Sequence, residues 1–477
     1  MMDARVCLGR LTVLSALCLA AGCPPGKTTP DPCLSFDDLD DALDAGSFSI
    51  EGDAISELED FETTIQEYMW DYGIPNAGVA VVAGDDRLVL NRSYTNECGG
   101  RDDGGTLNHG LISTTTTDSR FRIASVTKLL TATTLVALTE EAGASLTLGD
   151  PVYNYVGMTA LADSDGDSIT DTAPPELNLI TLRHLLKHQG GWVCRSPECS
   201  GSPYVGDVGK MDFEIQDGYL RVGTPLSLPL SIDEVVGYAS GLPLAWDPGT
   251  DADGDGRADS CYCNYGYLLL GNVIESYTGD DYVDVVEDKV FSKLEDHAFS
   301  GGRTEESERQ TNEVRYFYKD MTTEPSVVNP FAVVSPPYGR FNLENRRSNG
   351  GWIARASDLV AFGRAFMRGD LVSSPTSVIS DGLSWSSGFR SRTDATGHTG
   401  SMEGTHAILM CHGANDANTV LAGLCWSFLF NKSPPAGEEI ILPDGTREAV
   451  DPRNVMAEEL VNQVLDNLTS LGTDDYW

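Results

Sequence analysis

Basic residues are scarce in this sequence. Its 477 residues contain 32 Lys and Arg against 72 Asp and Glu, so the formal net charge is −40 at pH 7. A strongly anionic surface repels both phosphate backbones and anionic lipid headgroups. The composition therefore argues against nucleic-acid binding and against electrostatic attraction to membranes. It does not distinguish a surface adapted to salt from one that serves solubility.

An apolar run long enough to span a bilayer is missing near the N-terminus. The segment LTVLSALCLAAGC follows Arg5 and Arg10 and ends in small residues, whereas a membrane-spanning helix needs about 20 apolar residues. This pattern predicts a signal peptide over residues 1–22. Cys23 completes a sequence that resembles a bacterial lipobox, which predicts a lipid on Cys23 and a tether over residues 23–52. The alternative is ordinary cleavage and a soluble protein, and both predict a periplasmic or cell-surface location.

Cysteine spacings typical of zinc sites are also missing. No C-x-x-C pair and no suitably spaced histidines accompany the cysteines, which disfavours zinc. Apart from Cys7, Cys18 and Cys23, an even number remains, as expected for disulfides in an exported protein: Cys33, Cys98, Cys194, Cys199, Cys261, Cys263, Cys411 and Cys425. A hairpin would bring Cys411 and Cys425 into register, and Cys194 and Cys199 close a small loop.

The segment FRIASVTKLLTATTLVAL places Ser125 and Lys128 three residues apart on a predicted helix. Residues at this spacing are neighbours on one helix face. A serine hydroxyl is a poor nucleophile at neutral pH, and a lysine of lowered pKa beside it helps to remove its proton. The pair suggests serine acyl-transfer chemistry. The alternative is a helix-capping serine beside a solvated lysine.

Two further motifs follow in the chain. Tyr262 and Asn264 stand two apart, just before an apolar helix predicted to begin near Tyr265. His398-Thr399-Gly400 opens a glycine-punctuated segment that leads into a β-rich run. A loop at the start of a helix can direct both side chains into one cleft, and an edge strand can present backbone N–H groups to a substrate. Taken singly, Tyr262 could be a core tyrosine and His398 a surface histidine.

With these three motifs, S-x-x-K, Y-x-N and H-T-G, the sequence resembles the serine β-lactamase and penicillin-binding-protein superfamily. The branch it resembles contains class C β-lactamases, D-alanyl-D-alanine carboxypeptidases and related esterases. Flanking segments agree, among them GIPNAGVAVVAGDDRLVL, ITLRHLLKHQGG and NGGWIARASDLVAFGRAF.

The resemblance implies an α/β (α+β) fold of the β-lactamase/transpeptidase-like type, an antiparallel sheet flanked by helices plus a mainly helical lobe. It covers residues 53–468, with a sheet lobe of residues 53–120 and 345–477 and a helical lobe of residues 121–344. Alternation and a Gly-Asp turn predict a hairpin in GVAVVAGDDRLVL, and RNVMAEELVNQVLDNL reads as an amphipathic helix. The active site is expected where the lobes meet.

The resemblance also implies roles for the residues at matching positions. Ser125 attacks the carbonyl carbon, while Lys128 and Tyr262 handle its proton and Tyr262 returns it to the leaving group. Asn264 hydrogen-bonds the substrate amide or Lys128. The backbone N–H groups of Ser125 and Ser401 form the oxyanion hole, which needs no side chain.

Gly400 fits a strand that lets substrate approach the backbone closely. His398 stands where class C β-lactamases have lysine, a permanent cation suited to a carboxylate. Once protonated it would be a second cation beside Tyr262, with titration expected between about pH 6 and pH 8. We therefore expect an exported serine hydrolase acting on D-amino-acid peptides or small esters, with β-lactams as inhibitors. The alternatives are a β-lactamase and a catalytically silent, calcium-binding surface protein.

Two acidic insertions depart from the family pattern. Carboxylates at alternate positions converge on one hard cation, which predicts structural Ca²⁺ and no organic cofactor. The predicted ligands are Asp163, Asp165, Asp167 and Asp171 in the first loop, and Asp251, Asp253, Asp255 and Asp259 in the second. Neither loop has the bidentate Glu of an EF-hand. The alternative is a pair of solvated acidic loops. Because the second loop leads into Tyr262, calcium there would help to fix that tyrosine.

Overall fold

The computed structural model describes the chain in thirteen segments, and the chain divides into two compact units with the boundary between Ser47 and Phe48. The described residues are 39–44, 46–54, 58–99, 112–160, 173–192, 228–242, 244–251, 256–318, 322–383, 395–413, 421–433, 439–441 and 447–449. None of the helices in these ranges combines the length and the apolar character needed to cross a bilayer.

The helices, in chain order, are α1 (Leu39–Asp44), α2 (Glu59–Asp71), α3 (Thr127–Thr139), α4 (Leu182–Leu186), α5 (Ile232–Gly241), α6 (Asn264–Thr278), α7 (Tyr282–Lys289), α8 (Ala356–Arg368) and α9 (Pro375–Ser380). The strands are β1 (Phe48–Ala54), β2 (Asn76–Val82), β3 (Leu88–Asn96), β4 (Phe121–Arg122), β5 (Ser300–Gly301), β6 (Glu324–Pro325), β7 (Val333–Val334), β8 (Trp352–Ala354), β9 (Thr396–Met402), β10 (Thr405–Cys411), β11 (Cys425–Phe430), β12 (Glu439–Ile441) and β13 (Arg447–Ala449).

The main sheet has six antiparallel strands in the order β1-β3-β2-β11-β10-β9. This confirms the predicted antiparallel sheet and the β2–β3 hairpin. Strand β1 begins at Phe48, so the sheet begins before residue 53, and both α1 and β1 lie within the segment predicted to be a tether. The sequence pattern there is too short to separate a strand from an extended linker. The predicted helix at residues 453–468 lies outside the described residues.

Alternate residues of β2 belong to two different hydrophobic cores. Val79 and Val81 pack in a core that includes the apolar face of α2. Ala80 and Val82 pack in a larger core that includes α3, α6 and α8. The period of two along a strand sends successive side chains to opposite faces. Helices therefore cover both faces of the sheet, and β9 lies at one edge of it.

Disulfides support this arrangement. Cys411 and Cys425 are paired directly across β10 and β11 and form a disulfide, as the hairpin argument predicted. Cys98, Cys261 and Cys263 are also disulfide-bonded. The predicted loop between Cys194 and Cys199 lies outside the described residues. Disulfides of this kind are typical of oxidising compartments.

Candidate active site

Ser125 lies in a 3-10 turn, Ala124–Val126, that leads directly into α3. Ala124, just before it, has a backbone φ of 45°. This left-handed region is unfavourable for a residue with a Cβ, and such conformations concentrate at functional sites. The turn leaves Ser125 partly exposed, whereas Ala124 and Val126 on either side are buried.

Lys128 occupies the first turn of α3, and its side chain is fully buried. Its Nζ donates hydrogen bonds to Ser125 Oγ at 3.0 Å, to Asn264 Oδ1 at 2.6 Å and to the carbonyl oxygen of Asn349 at 2.8 Å. A protonated lysine has three N–H donors, and these three acceptors match them. The capping interpretation of the pair is wrong, because Ser125 makes no capping hydrogen bond and Lys128 is not solvated.

Tyr262 and Asn264 reach the same point from the start of α6. The Tyr262 hydroxyl donates to Ser125 Oγ at 2.8 Å. Asn264 is buried and accepts from Lys128, while its own carbonyl oxygen accepts from the Asn349 side chain at 3.3 Å. Ser125 Oγ is thus within hydrogen-bond distance of an amine and a phenol, and either group can take up its proton once deprotonated.

Strand β9 passes close to the nucleophile at Gly400. A Cβ at Gly400 would lie 2.3 Å from the Ile123 carbonyl oxygen and 2.9 Å from the Ser125 nitrogen. Only glycine allows this contact. Ser401 follows on the exposed side of the strand, paired with His406 of β10. The structure thus brings the edge strand beside the Ser125 backbone nitrogen.

His398 lies on the same strand, with its ring centre 6.1 Å from that of Tyr262. Burial within the site, and then the positive charge of Lys128, lower the pKa of His398 from 6.5 to about 4. The expectation that it titrates between pH 6 and pH 8 and adds a second cation beside Tyr262 is therefore wrong. Although its edge reaches solvent, the imidazole is neutral at pH 7. The sequence shows the histidine but not the burial that sets its charge.

Three residues of the site were missed as site residues in the sequence. Asn349 supplies the third acceptor to Lys128. The His188 ring lies tilted against the Tyr262 ring with ring centres 4.5 Å apart, and the Tyr267 ring centre lies 5.2 Å from that of His188. Asn349 and His188 fall in the flanking segments NGGWIARASDLVAFGRAF and ITLRHLLKHQGG, which were used only to support the family resemblance. The agreement of these two segments with the family pattern was the sequence feature that could have identified Asn349 and His188 as site residues.

The predicted calcium ligands are largely outside the described residues. This holds for all four aspartates of the first loop and for Asp253 and Asp255 of the second. Of the two described, Asp251 accepts a hydrogen bond from the Gly256 N–H at 2.8 Å, and Asp259 is buried. The described part of the chain contains no cluster of three or more potential metal ligands. Calcium binding stays a prediction.

Comparison with solved structures gives the same fold. The octameric penicillin-binding protein homologue from Pyrococcus abyssi is similar over 86% of this chain and 77% of that chain, with a TM-score of 0.53 and 18% identity. The D-amino acid amidase from Ochrobactrum anthropi SV3, solved with D-phenylalanine, is similar over 86% of this chain and 99% of that chain, with a TM-score of 0.52 and 17% identity.

A family model described as Beta-lactamase matches residues 61–451. That span includes every residue of the site, from Ser125 to Ser401. Members of the superfamily that contains this family are serine hydrolases. The chain therefore belongs to the Beta-lactamase family, within the serine β-lactamase and penicillin-binding-protein superfamily.

Proposed function

We propose that this protein is an exported serine hydrolase that forms an acyl-enzyme on Ser125 and acts on D-amino-acid peptides and amides or on small esters. One observation carries the proposal. Ser125 Oγ lies 3.0 Å from Lys128 Nζ and 2.8 Å from the Tyr262 hydroxyl. A nucleophile held by two groups that exchange protons is the arrangement that serine acyl transfer requires.

The reaction proceeds in two halves. Ser125 Oγ attacks the substrate carbonyl and gives its proton to the Lys128 and Tyr262 pair. The backbone N–H groups of Ser125 and Ser401 stabilise the oxyanion, and Tyr262 protonates the departing amine or alkoxide. Water then attacks the acyl-enzyme, with the same pair accepting its proton, and releases Ser125.

The neutral His398 supports the choice of substrate. A position that offers no permanent cation attracts a carboxylate less strongly than lysine does. This favours amides and esters over β-lactams, which carry a carboxylate, and over peptides that end in one. The amidase from Ochrobactrum anthropi, whose fold is similar, is named for D-amino acid substrates.

Disulfides support the export part of the proposal. Five described cysteines, Cys98, Cys261, Cys263, Cys411 and Cys425, are disulfide-bonded, a state that persists in the periplasm or at the cell surface. The signal peptide and the lipid on Cys23 are part of the same proposal. Incorporation of radiolabelled palmitate by the protein, and its loss in Cys23→Ala, tests the lipid.

Active-site labelling tests the chemistry. The wild-type protein is expected to bind a fluorophosphonate probe covalently, at one equivalent per chain. Ser125→Ala is expected to lose the label, and Ser380→Ala, at a serine outside the site, to keep it. An unlabelled wild-type protein would instead support the catalytically silent surface protein.

Substrate preference is tested on the same preparation with D-phenylalanine amide, D-alanyl-D-alanine, p-nitrophenyl acetate and nitrocefin. We expect turnover of the amide and the ester, slower turnover of the dipeptide, and acylation by nitrocefin with slow release. Rapid nitrocefin hydrolysis with the other three untouched would show that the protein is a β-lactamase.

A further inference from the structure

Tyr262 lies in a short connection rather than within a regular element, in the sequence Cys261-Tyr262-Cys263 that ends where α6 begins. Its hydroxyl must nevertheless stay within hydrogen-bond distance of Ser125. Reaction rates are sensitive to such placement, and a displacement of about 1 Å can cost about 100-fold. Some neighbouring group must therefore hold the tyrosine.

His188 contacts the residues on both sides of Tyr262. The Cys261 N–H donates to the His188 carbonyl oxygen at 2.9 Å, and the Cys263 N–H donates to His188 Nδ1 at 3.1 Å. The His188 ring also lies against the Tyr262 ring, with centres 4.5 Å apart. One residue thus restrains the backbone before the tyrosine, the backbone after it and its ring.

The backbone of His188 is itself unusual. Its φ is 57°, in the left-handed region that side chains with a Cβ rarely adopt. Non-glycine residues keep such conformations only where the surroundings impose them, and they cluster at functional sites. The conformation lets one residue use both its carbonyl oxygen and its ring nitrogen toward the Tyr262 connection.

The imidazole is neutral. Burial, followed by the charges of Lys128 and His398, lowers the pKa of His188 to about 3. Because Nδ1 accepts from Cys263, the hydrogen bond assigns the ring proton to Nε2. A neutral ring of fixed tautomer is a steady hydrogen-bond acceptor over the whole pH range of an assay.

The second ring beside His188 is fixed in turn. Tyr267 is fully buried, its hydroxyl donates to the Leu186 carbonyl oxygen at 3.0 Å, and its ring centre lies 5.2 Å from that of His188. His188 therefore contacts one rigid aromatic ring of α6 as well as the ring of Tyr262. His188 thus connects Tyr262 to the larger hydrophobic core, to which Tyr267 belongs.

We propose that His188 is a positioning residue for Tyr262. The hydrogen bond that His188 accepts from the Cys263 N–H sets the position of the Tyr262 hydroxyl relative to Ser125 Oγ. The inference rests on the proposed function, because the rate that it affects is that of Ser125 acylation. His188 itself does not touch the substrate.

Two variants test the contact. His188→Gly keeps the carbonyl oxygen and suits the left-handed backbone but removes the side-chain acceptor. His188→Asn restores an acceptor near the position of Nδ1 and tolerates the same backbone. His184→Ala is the matched control, because His184 lies on α4 in the same segment and accepts from the Thr181 N–H at 3.3 Å, away from Tyr262.

The measurements are the rate constant and end point of fluorophosphonate labelling, and kcat and KM on the best substrate. His188→Gly is expected to label to the same end point, about 10- to 100-fold more slowly. Its kcat is expected to fall correspondingly, and its KM to stay within about twofold of the wild-type value. His188→Asn is expected to recover most of the rate, and His184→Ala to match the wild type. A purely structural role would lower the end point and leave the rate of the labelled fraction unchanged.

The outcomes separate the two proposals. A wild-type protein that does not label overturns the proposed function and the positioning role together. A wild-type protein that labels, with His188→Gly equally fast, overturns the positioning role alone. Equally slow labelling of His188→Gly and His188→Asn overturns the Cys263 hydrogen bond as the contact that matters.

Discussion

Two cations are buried six residues apart, and their surroundings differ. Arg122 and Lys128 are both fully inaccessible to solvent. Arg122 has a buried carboxylate nearby, with its Nε 3.8 Å from Glu313 Oε1, and its guanidinium lies 4.3 Å from the centre of the Tyr316 ring. Lys128 donates instead to three neutral oxygens, one of them the nucleophile.

The difference distinguishes Arg122, a cation that stabilises the fold, from Lys128, a cation with a proposed role in the reaction. Arg122 also donates to the carbonyl oxygens of Arg303 and Pro337, so its fork joins distant segments around β4. Desolvating a charge is expensive, and a nearby counter-charge together with hydrogen bonds to carbonyl oxygens offsets part of that cost. Lys128 has the nucleophile among its acceptors, so its amine is placed to exchange a proton with Ser125 Oγ.

The largest expected effect is on catalysis at Lys128. Lys128→Met keeps a straight side chain of similar length but removes the proton-handling amine, so kcat/KM is expected to fall by roughly three orders of magnitude or more. Tyr262→Phe is expected to cost a similar amount, and the double variant little more, because the two groups act as one unit.

Steady-state kinetics and thermal melting check this prediction. Lys293→Met, at an exposed lysine, serves as the control and should behave like the wild type. Strictly additive losses in the double variant would show that Lys128 and Tyr262 act independently.

The next effect is on stability at Arg122. Arg122→Met leaves the Glu313 carboxylate buried without its cation, and we expect the free energy of unfolding to fall by about 3 kcal/mol. Urea denaturation measures this. Arg87→Met removes an ion pair at the surface, with Asp85 at 2.7 Å, and should cost under about 1 kcal/mol. Equal costs for the two variants would remove the distinction between the two buried cations.

A smaller effect concerns pH. Unfolded histidines titrate near 6.5, whereas the pKa values of His188 and His398 in the folded protein are about 3 and about 4. As the pH falls below 6.5, the unfolded chain binds protons that the folded protein does not. The stability present above pH 6.5 therefore decreases as the pH falls, down to about pH 4 for the contribution of His398 and about pH 3 for that of His188.

Urea denaturation at about pH 7 and about pH 5 checks this, within the range where imidazoles titrate. The double variant with His188→Asn and His398→Asn should lose less stability between the two conditions than the wild type. An identical loss in both proteins would place the titrating groups elsewhere. Activity should show no step from His398 between about pH 6 and about pH 8.

The smallest expected effect concerns calcium binding to the two acidic loops. If calcium occupies the acidic loops, chelation lowers the melting temperature at matched ionic strength. Asp253→Ala with Asp255→Ala should reduce activity more than Asp163→Ala with Asp165→Ala, because only the second loop leads into Tyr262. Unchanged melting with chelator would identify both loops as solvated insertions.

Much of the fold could be predicted from local patterns. The alternation in GVAVVAGDDRLVL gave the β2–β3 hairpin, and the adjacent strand-like runs gave the Cys411–Cys425 disulfide. The start of the sheet at Phe48 could not be read, because a seven-residue edge strand with mostly exposed side chains carries little hydrophobic pattern. All three site motifs could be recognised in the sequence. No feature of the neighbouring sequence, however, distinguishes His188 from a histidine of the hydrophobic core.

The sequence alone determined the part of the site whose residues are close together along the chain. The three-residue spacing, across the 3-10 turn and the first turn of α3, places Ser125 beside Lys128. Only the tertiary structure brought Tyr262, 137 residues away, to Ser125, and Asn349, 221 residues away, to Lys128. It also decided that His398 is neutral. These properties depend on packing and desolvation, which act between segments and are not encoded in the spacing of any one of them.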